Sequence, residues 1–188
     1  MELYACWPRI VRVGTHAVSA NAVSTLWGRL RTHLGTRTGS GNHRGSIFRR
    51  HVGAALLARD QKVIGSWGVG SSASMKLRED PDALAAESEL EKRVSEYIGG
   101  MSILWIDVPD MPSAESIRAF IEKNAIALLS NKRMPLDKAS PKWLGAYSPR
   151  EEIRQSQLWN LNYVDLTYNP SFLEQLELAA ERTRGCLS

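Results

Sequence analysis

Apolar positions recur at helical spacing in several stretches of the chain and crowd or alternate in three others. Leu26, Leu30 and Leu34 stand four residues apart in "STLWGRLRTHLG", which predicts a short helix with Ser24 or Thr25 as its N-cap and Gly35 just past its end. A second helix is predicted from about Ser46 to Arg59, with Ile47, Val52, Ala55 and Leu56 on its buried side. Asp80-Pro81 opens a third that runs through Ile98, with Leu84, Leu90 and Val94 as its stripe and Gly99-Gly100 as its stop. Residues 113–130, "SAESIRAFIEKNAIALLS", read as a long and largely apolar helix beginning at Ser113. Shorter helices follow at "PREEIRQS" and "NPSFLEQLELAAERT", with Pro170 suited to the first turn of the last one.

Residues 2–7, "ELYACW", 10–18, "IVRVGTHAV", and 102–108, "SILWIDV", are rich in β-branched and aromatic side chains. They predict two strands of a hairpin around Pro8-Arg9 and a later third strand. The resulting order predicts an α+β fold: a small three-stranded, mostly antiparallel sheet flanked by helices. Between 61 and 80, glycine and serine crowd the chain and no period survives, as in a loop or a short extra hairpin. The expected division is a domain over 1–131, with an insertion at about 60–100, and a helical extension over 132–188 packed on the same domain.

At 188 residues with 43 % hydrophobic content, the chain can bury a real core. Two cysteines imply no disulfide framework, and no stretch approaches the roughly 20 apolar residues of a membrane helix. A cytoplasmic protein with no membrane partner is expected. The net charge of +4 hides an asymmetry. Residues 1–62 carry ten Lys/Arg against two acids, and residues 63–188 carry fourteen against eighteen. Nine of the ten front cations are arginines, whose planar guanidinium grips a phosphate with two parallel bonds. A polyanion, nucleic acid first, is the partner this favours; a solvated basic face is the plainer alternative.

On the first helix, 100° per residue puts Arg29 and His33 together beside the leucine stripe. A half-sheltered arginine keeps its charge and holds an anion, and a histidine one turn on can donate to phosphate or pass a proton. Glu122 lies in a helix so apolar that its carboxylate needs a partner, either a divalent cation or Arg118 at i−4. The loop "GSGNHRGSIFRRH" offers Asn42, His43, Arg44, Arg49 and Arg50 as further donors, with Arg12 and Arg31 added from the preceding segments. Six tryptophans invite base stacking, but Trp105, Trp143 and Trp159 are expected in the core or at docking contacts.

Strand "ELYACW", strand "IVRVGTH", then "LWGRLRTH" resembles the core of the GIY-YIG nucleases. Tyr4 stands for the tyrosine of the first signature, Gly14 for the glycine of the second, and Arg29 for the helical arginine. His33 is similar to the histidine of the restriction-enzyme branch. "SILWIDVPD" followed by "FIEKNAIALL" resembles the third strand and the helix carrying the metal-binding glutamate, here Glu122. The sequence departs from the pattern at Arg12, where the second tyrosine should be, with His16 close by as a substitute. Thr15 replaces a frequent lysine, and Asn131 is the nearest asparagine beyond the glutamate.

The resemblance implies a metal-dependent endonuclease acting on DNA, with RNA left open. Its catalytic residues would be Tyr4, Arg29, His33, Glu122 and His16, with Mg²⁺ or Mn²⁺ held at Glu122. Cutting both strands with one site per chain favours a homodimer or sequential nicking. The alternatives are a binding module that kept the scaffold and lost catalysis, an enzyme of small phosphate compounds, and an interaction domain centred on "LWNLNYVDL".

Overall fold

The computed structural model describes residues 8–17, 19–135 and 137–187. The predicted strand over 2–7, and Tyr4 with it, lies outside them. The described helices are α1 (Leu26–Leu34), α2 (Ile47–Arg59), α3 (Met75–Arg78), α4 (Pro81–Gly99), α5 (Ile117–Leu129), α6 (Glu151–Ser156) and α7 (Phe172–Leu187), with 3-10 turns at His43–Gly45 and Leu144–Tyr147. No residue among those described is in a strand, so the predicted sheet is overturned: this is a helical structure.

Neither extended run finds a ladder partner among the described residues. In the segment 10–17, the Val11 carbonyl accepts from the Trp159 N–H at 2.7 Å. The Asn160 carboxamide then takes the Val13 N–H at 3.1 Å and donates to the Val13 carbonyl at 2.8 Å. A side-chain amide thus imitates a strand neighbour for one residue, and the chain stays extended without a sheet. Over 102–108, the Asp107 N–H donates to the Thr183 hydroxyl at 2.8 Å, while Leu104 is 83 % and Trp105 45 % exposed. Trp105 therefore does not take the core position expected of it. A β-rich composition states which conformation suits a residue; burial of one face against a partner decides whether a strand exists.

The helices follow local rules. Thr25 caps α1 by accepting from the Gly28 N–H, and Gly35 ends it at φ 81°. A Cβ at Gly35 would lie 2.4 Å from the Ser40 carbonyl, so the left-handed backbone and the tight approach both require glycine. Ser46 caps α2 and Asp80 caps α4, which starts on Pro81. α5 begins later than the serine-rich start suggests, because Ser116 rather than Ser113 accepts from the N–H three residues on.

The core centres on α2. Val52 and Ala55 are fully buried against Leu90, Val94 and Ile98 of α4 and against Trp143, Leu144, Ile153 and Trp159. Trp67 lies over Gly53, where a Cβ would come within 2.1 Å of the ring, and its indole N–H donates to the Arg50 carbonyl. Segments on both sides of residue 131 share this core. A smaller cluster joins Ile126 of α5 to Leu158, Val164 and Val13.

Candidate active site

The extended segment 10–17 runs between α2 and α5, and it carries Arg12 to the rim of the core. Its guanidinium lies over the Phe48 ring, 4.7 Å from the centroid, and Nη1 donates to the Trp159 carbonyl at 3.3 Å. The His33 ring stands edge-on to the same Phe48 at 5.7 Å. Phe48 thus seats both groups. Burial, with the Arg29 charge nearby, lowers the Arg12 pKa to about 10, and Glu122 acts in the opposite sense. Burial together with Arg12, Arg29 and Arg49 lowers His33 to about 4, so its imidazole is neutral at pH 7. The ring is fixed by a 2.8 Å hydrogen bond between Nδ1 and the Ser46 hydroxyl.

Glu122 reaches this group from α5. Its burial raises the pKa above the usual carboxylate value, against the pull of Arg12, a hydrogen bond from the Thr15 N–H, and Arg29. Arg118, the partner at i−4 that the sequence offered, is committed elsewhere. It pairs with Asp110 through Nε, and its Nη2 donates to the Asp110 carbonyl at 3.0 Å. His16 belongs to that second cluster, with Arg118 Nη1 3.5 Å from its Nε2. Burial and the Arg118 charge lower the His16 pKa, while Asp110 opposes them. Arg12 and Arg29 therefore act on both His33 and Glu122, whereas His16 belongs to the Arg118–Asp110 cluster.

The basic loop has a different fate. Arg49 is completely buried. Its guanidinium donates to Glu91 through Nε at 2.9 Å, to the Glu91 carbonyl and Ser95 hydroxyl at 2.9 Å each, and to the His33 carbonyl at 2.9 Å. Gly41 makes room for it, since a Cβ there would meet the guanidinium at 2.0 Å. The His43 backbone N–H and Nδ1 both bond Glu91, and its ring stacks on Trp67 at 3.8 Å between centroids. Arg44 makes a two-point pair with Glu87, 2.8 Å at each contact, and Asn42 caps the turn by accepting from the Arg44 N–H. His43, Arg44 and Arg49, expected to meet nucleic acid, turn to the interior, while Asn42 stays exposed. Arg29, Arg31 and Arg50 make no side-chain hydrogen bond or ion pair among the described residues.

Glu87, Glu91 and Asp110 escaped the sequence reading, and Ser46 was read only as the start of a helix. The one available signal was Glu91, wedged between Leu90 and Val94 on the inward side of α4. A carboxylate there implies a buried cation.

A family model described as GIY-YIG domain matches residues 5–185. The chain belongs to that family. Its GIY-YIG match spans nearly the whole sequence, including 132–185, so both sides of the shared core fall within it. The family is one of nuclease-type hydrolases acting on nucleic acids. No curated protein and no solved structure matches the chain. As for the divalent metal that the family generally uses, no cluster of three or more His, Cys, Asp or Glu exists among the described residues. One desolvated carboxylate with a hard oxygen fits an ion of the Mg²⁺ type, which keeps most of its water and completes its shell on substrate phosphate. No helix among the described residues is long and apolar enough to cross a membrane.

Proposed function

We propose that this GIY-YIG protein is a metal-dependent endonuclease that hydrolyses phosphodiesters in DNA. The observation that carries the reading is the unbalanced cluster of Arg12, Arg29, His33 and Glu122, drawn from three distant segments. Two guanidinium groups lie in the field of one desolvated carboxylate, and the local field invites an additional anion.

Arg12 and Arg29 hold the non-bridging oxygens as negative charge builds on them. The departure from the family signature thus replaces a hydroxyl with a second cation. Tyr4 is assigned the activation of water on the strength of the family pattern alone. His33 accepts the proton, being neutral at pH 7 and locked by Ser46. A bound phosphodiester cancels part of the arginine charge and so raises the proton affinity of that imidazole when substrate is present. Mg²⁺ or Mn²⁺, held by Glu122, supplies Lewis-acid polarisation of the phosphate when bound. The oligomeric state in which both strands are cut, and a cytoplasmic location, belong to this proposal.

The test is relaxation of supercoiled plasmid by purified protein in Mg²⁺ or EDTA. Arg29→Ala is expected to lower the rate by about 10²–10³, and Glu122→Ala to abolish the cutting that Mg²⁺ supports. Plasmid binding that persists with no cutting in any metal would support the non-catalytic module instead. Cutting that survives both substitutions would overturn this site.

A further inference from the structure

α1 has two flanks. At 100° per residue, Arg29 and His33 lie on one side of the Leu26, Leu30, Leu34 stripe, and Trp27 and Arg31 lie together on the other. The outward face between them carries Gly28 and Thr32, both exposed, and the Thr32 hydroxyl is folded back onto the Gly28 carbonyl at 2.9 Å. No large side chain stands between the flanks.

Trp27 is 64 % exposed. An indole is among the largest apolar surfaces a side chain offers, and leaving it in water forgoes its burial. Charge says what covers it. Residues 3–59 hold nine arginines and no Asp or Glu. Arg29 and Arg31 are exposed and unpaired among the described residues, whereas Arg44 and Arg49 of the same stretch are neutralised by α4. An aromatic face beside unpaired guanidinium groups suits a nucleic-acid strand, with the base on the ring and the phosphate on the cation. An acidic or apolar protein surface would use only one of the two.

We infer that Trp27 stacks on an unpaired base of the strand whose phosphate lies at Arg29 and His33, so that the protein prefers DNA with a single-stranded arm over continuous duplex. The inference rests on the DNA-cleaving reading and adds a substrate class to it. Bases within intact duplex already stack on one another and offer no face to a surface indole, so the ring adds affinity only where a strand is open. A helix with its side chains is about 10–12 Å across, a span that a few nucleotides of an extended strand cover.

Binding is measured in EDTA by fluorescence anisotropy, at fixed salt, with a forked DNA and a blunt duplex of equal phosphate number. Wild type is expected to favour the fork, and Trp27→Ala to lose about 5- to 150-fold in fork affinity with duplex affinity unchanged. Trp27→Phe retains most of the preference. An unchanged melting temperature for both variants shows that the fold is intact. Equal loss on both DNAs, no loss on either, or a wild type indifferent to the fork overturns the stacking proposal. A protein that cuts plasmid yet ignores the fork loses this inference alone. One that prefers the fork but cuts nothing loses the nuclease reading alone.

Discussion

Two groups of arginines, Arg44 with Arg49 and Arg12 with Arg29, have opposite electrostatic surroundings. Arg49 and Arg44 each meet a carboxylate of α4 in closed, fully hydrogen-bonded pairs, and Arg49 also joins α1 through the His33 carbonyl. Arg12 and Arg29 lie in the field of one carboxylate, Glu122, and repel one another. The closed group ties α1, α2 and α4 together. The open group leaves charge unspent beside that frame. Arginine content alone therefore reports little; what matters is whether the folded chain brings an acid to each guanidinium.

Breaking the closed group should have the largest effect. Arg49→Met leaves Glu91 buried with only His43 to answer it, and a loss of about 3–5 kcal/mol in urea unfolding is expected. Replacing both partners, Arg49→Met with Glu91→Leu, removes both buried charges and should recover most of that loss. If the double variant is no better than the single, the pair matters through shape rather than charge.

Arg12→Met tests the open group by the same change. The substitution removes a desolvated cation that sits near another, so stability should hold within about 1 kcal/mol or rise, while plasmid cutting falls. A loss comparable to that of Arg49→Met would erase the distinction between the two groups.

A further effect concerns pH. His51 is buried, and burial with Arg50, Arg150 and Arg12 lowers its pKa to about 4, against the opposing pull of Glu152. The unfolded chain binds this proton from about pH 6.5 downward and the folded one only near pH 4. The stability this group contributes is therefore present above pH 6.5 and lost as pH falls toward 4. His51→Gln should flatten the fall in unfolding free energy between pH 7 and pH 5 by roughly 1–2 kcal/mol. An unchanged slope would place the histidine in a far less cationic setting than its neighbours indicate.

The helices were legible because their rules are local. Thr25 and Gly35 bracket α1, Ser46 opens α2, and Asp80-Pro81 opens α4, all from spacing and cap chemistry within a few residues. The family was legible too, and its match runs over residues 5–185. The strands were not. The runs at 10–18 and 102–108 have the composition of strands, but a strand needs a neighbour, and Asn160 and Thr183 supply only single-residue ties. Nor could the sequence sort its arginines. Arg44 and Arg49 read like Arg29 and Arg50 until α4 brings Glu87 and Glu91 beside them from some forty residues further along. Local periodicity and capping are written within one turn of chain, so the sequence by itself determined where helices form and where the cationic segment lies. Which cations are neutralised and which remain open is decided by long-range contacts between buried charges, and only the tertiary structure settles those.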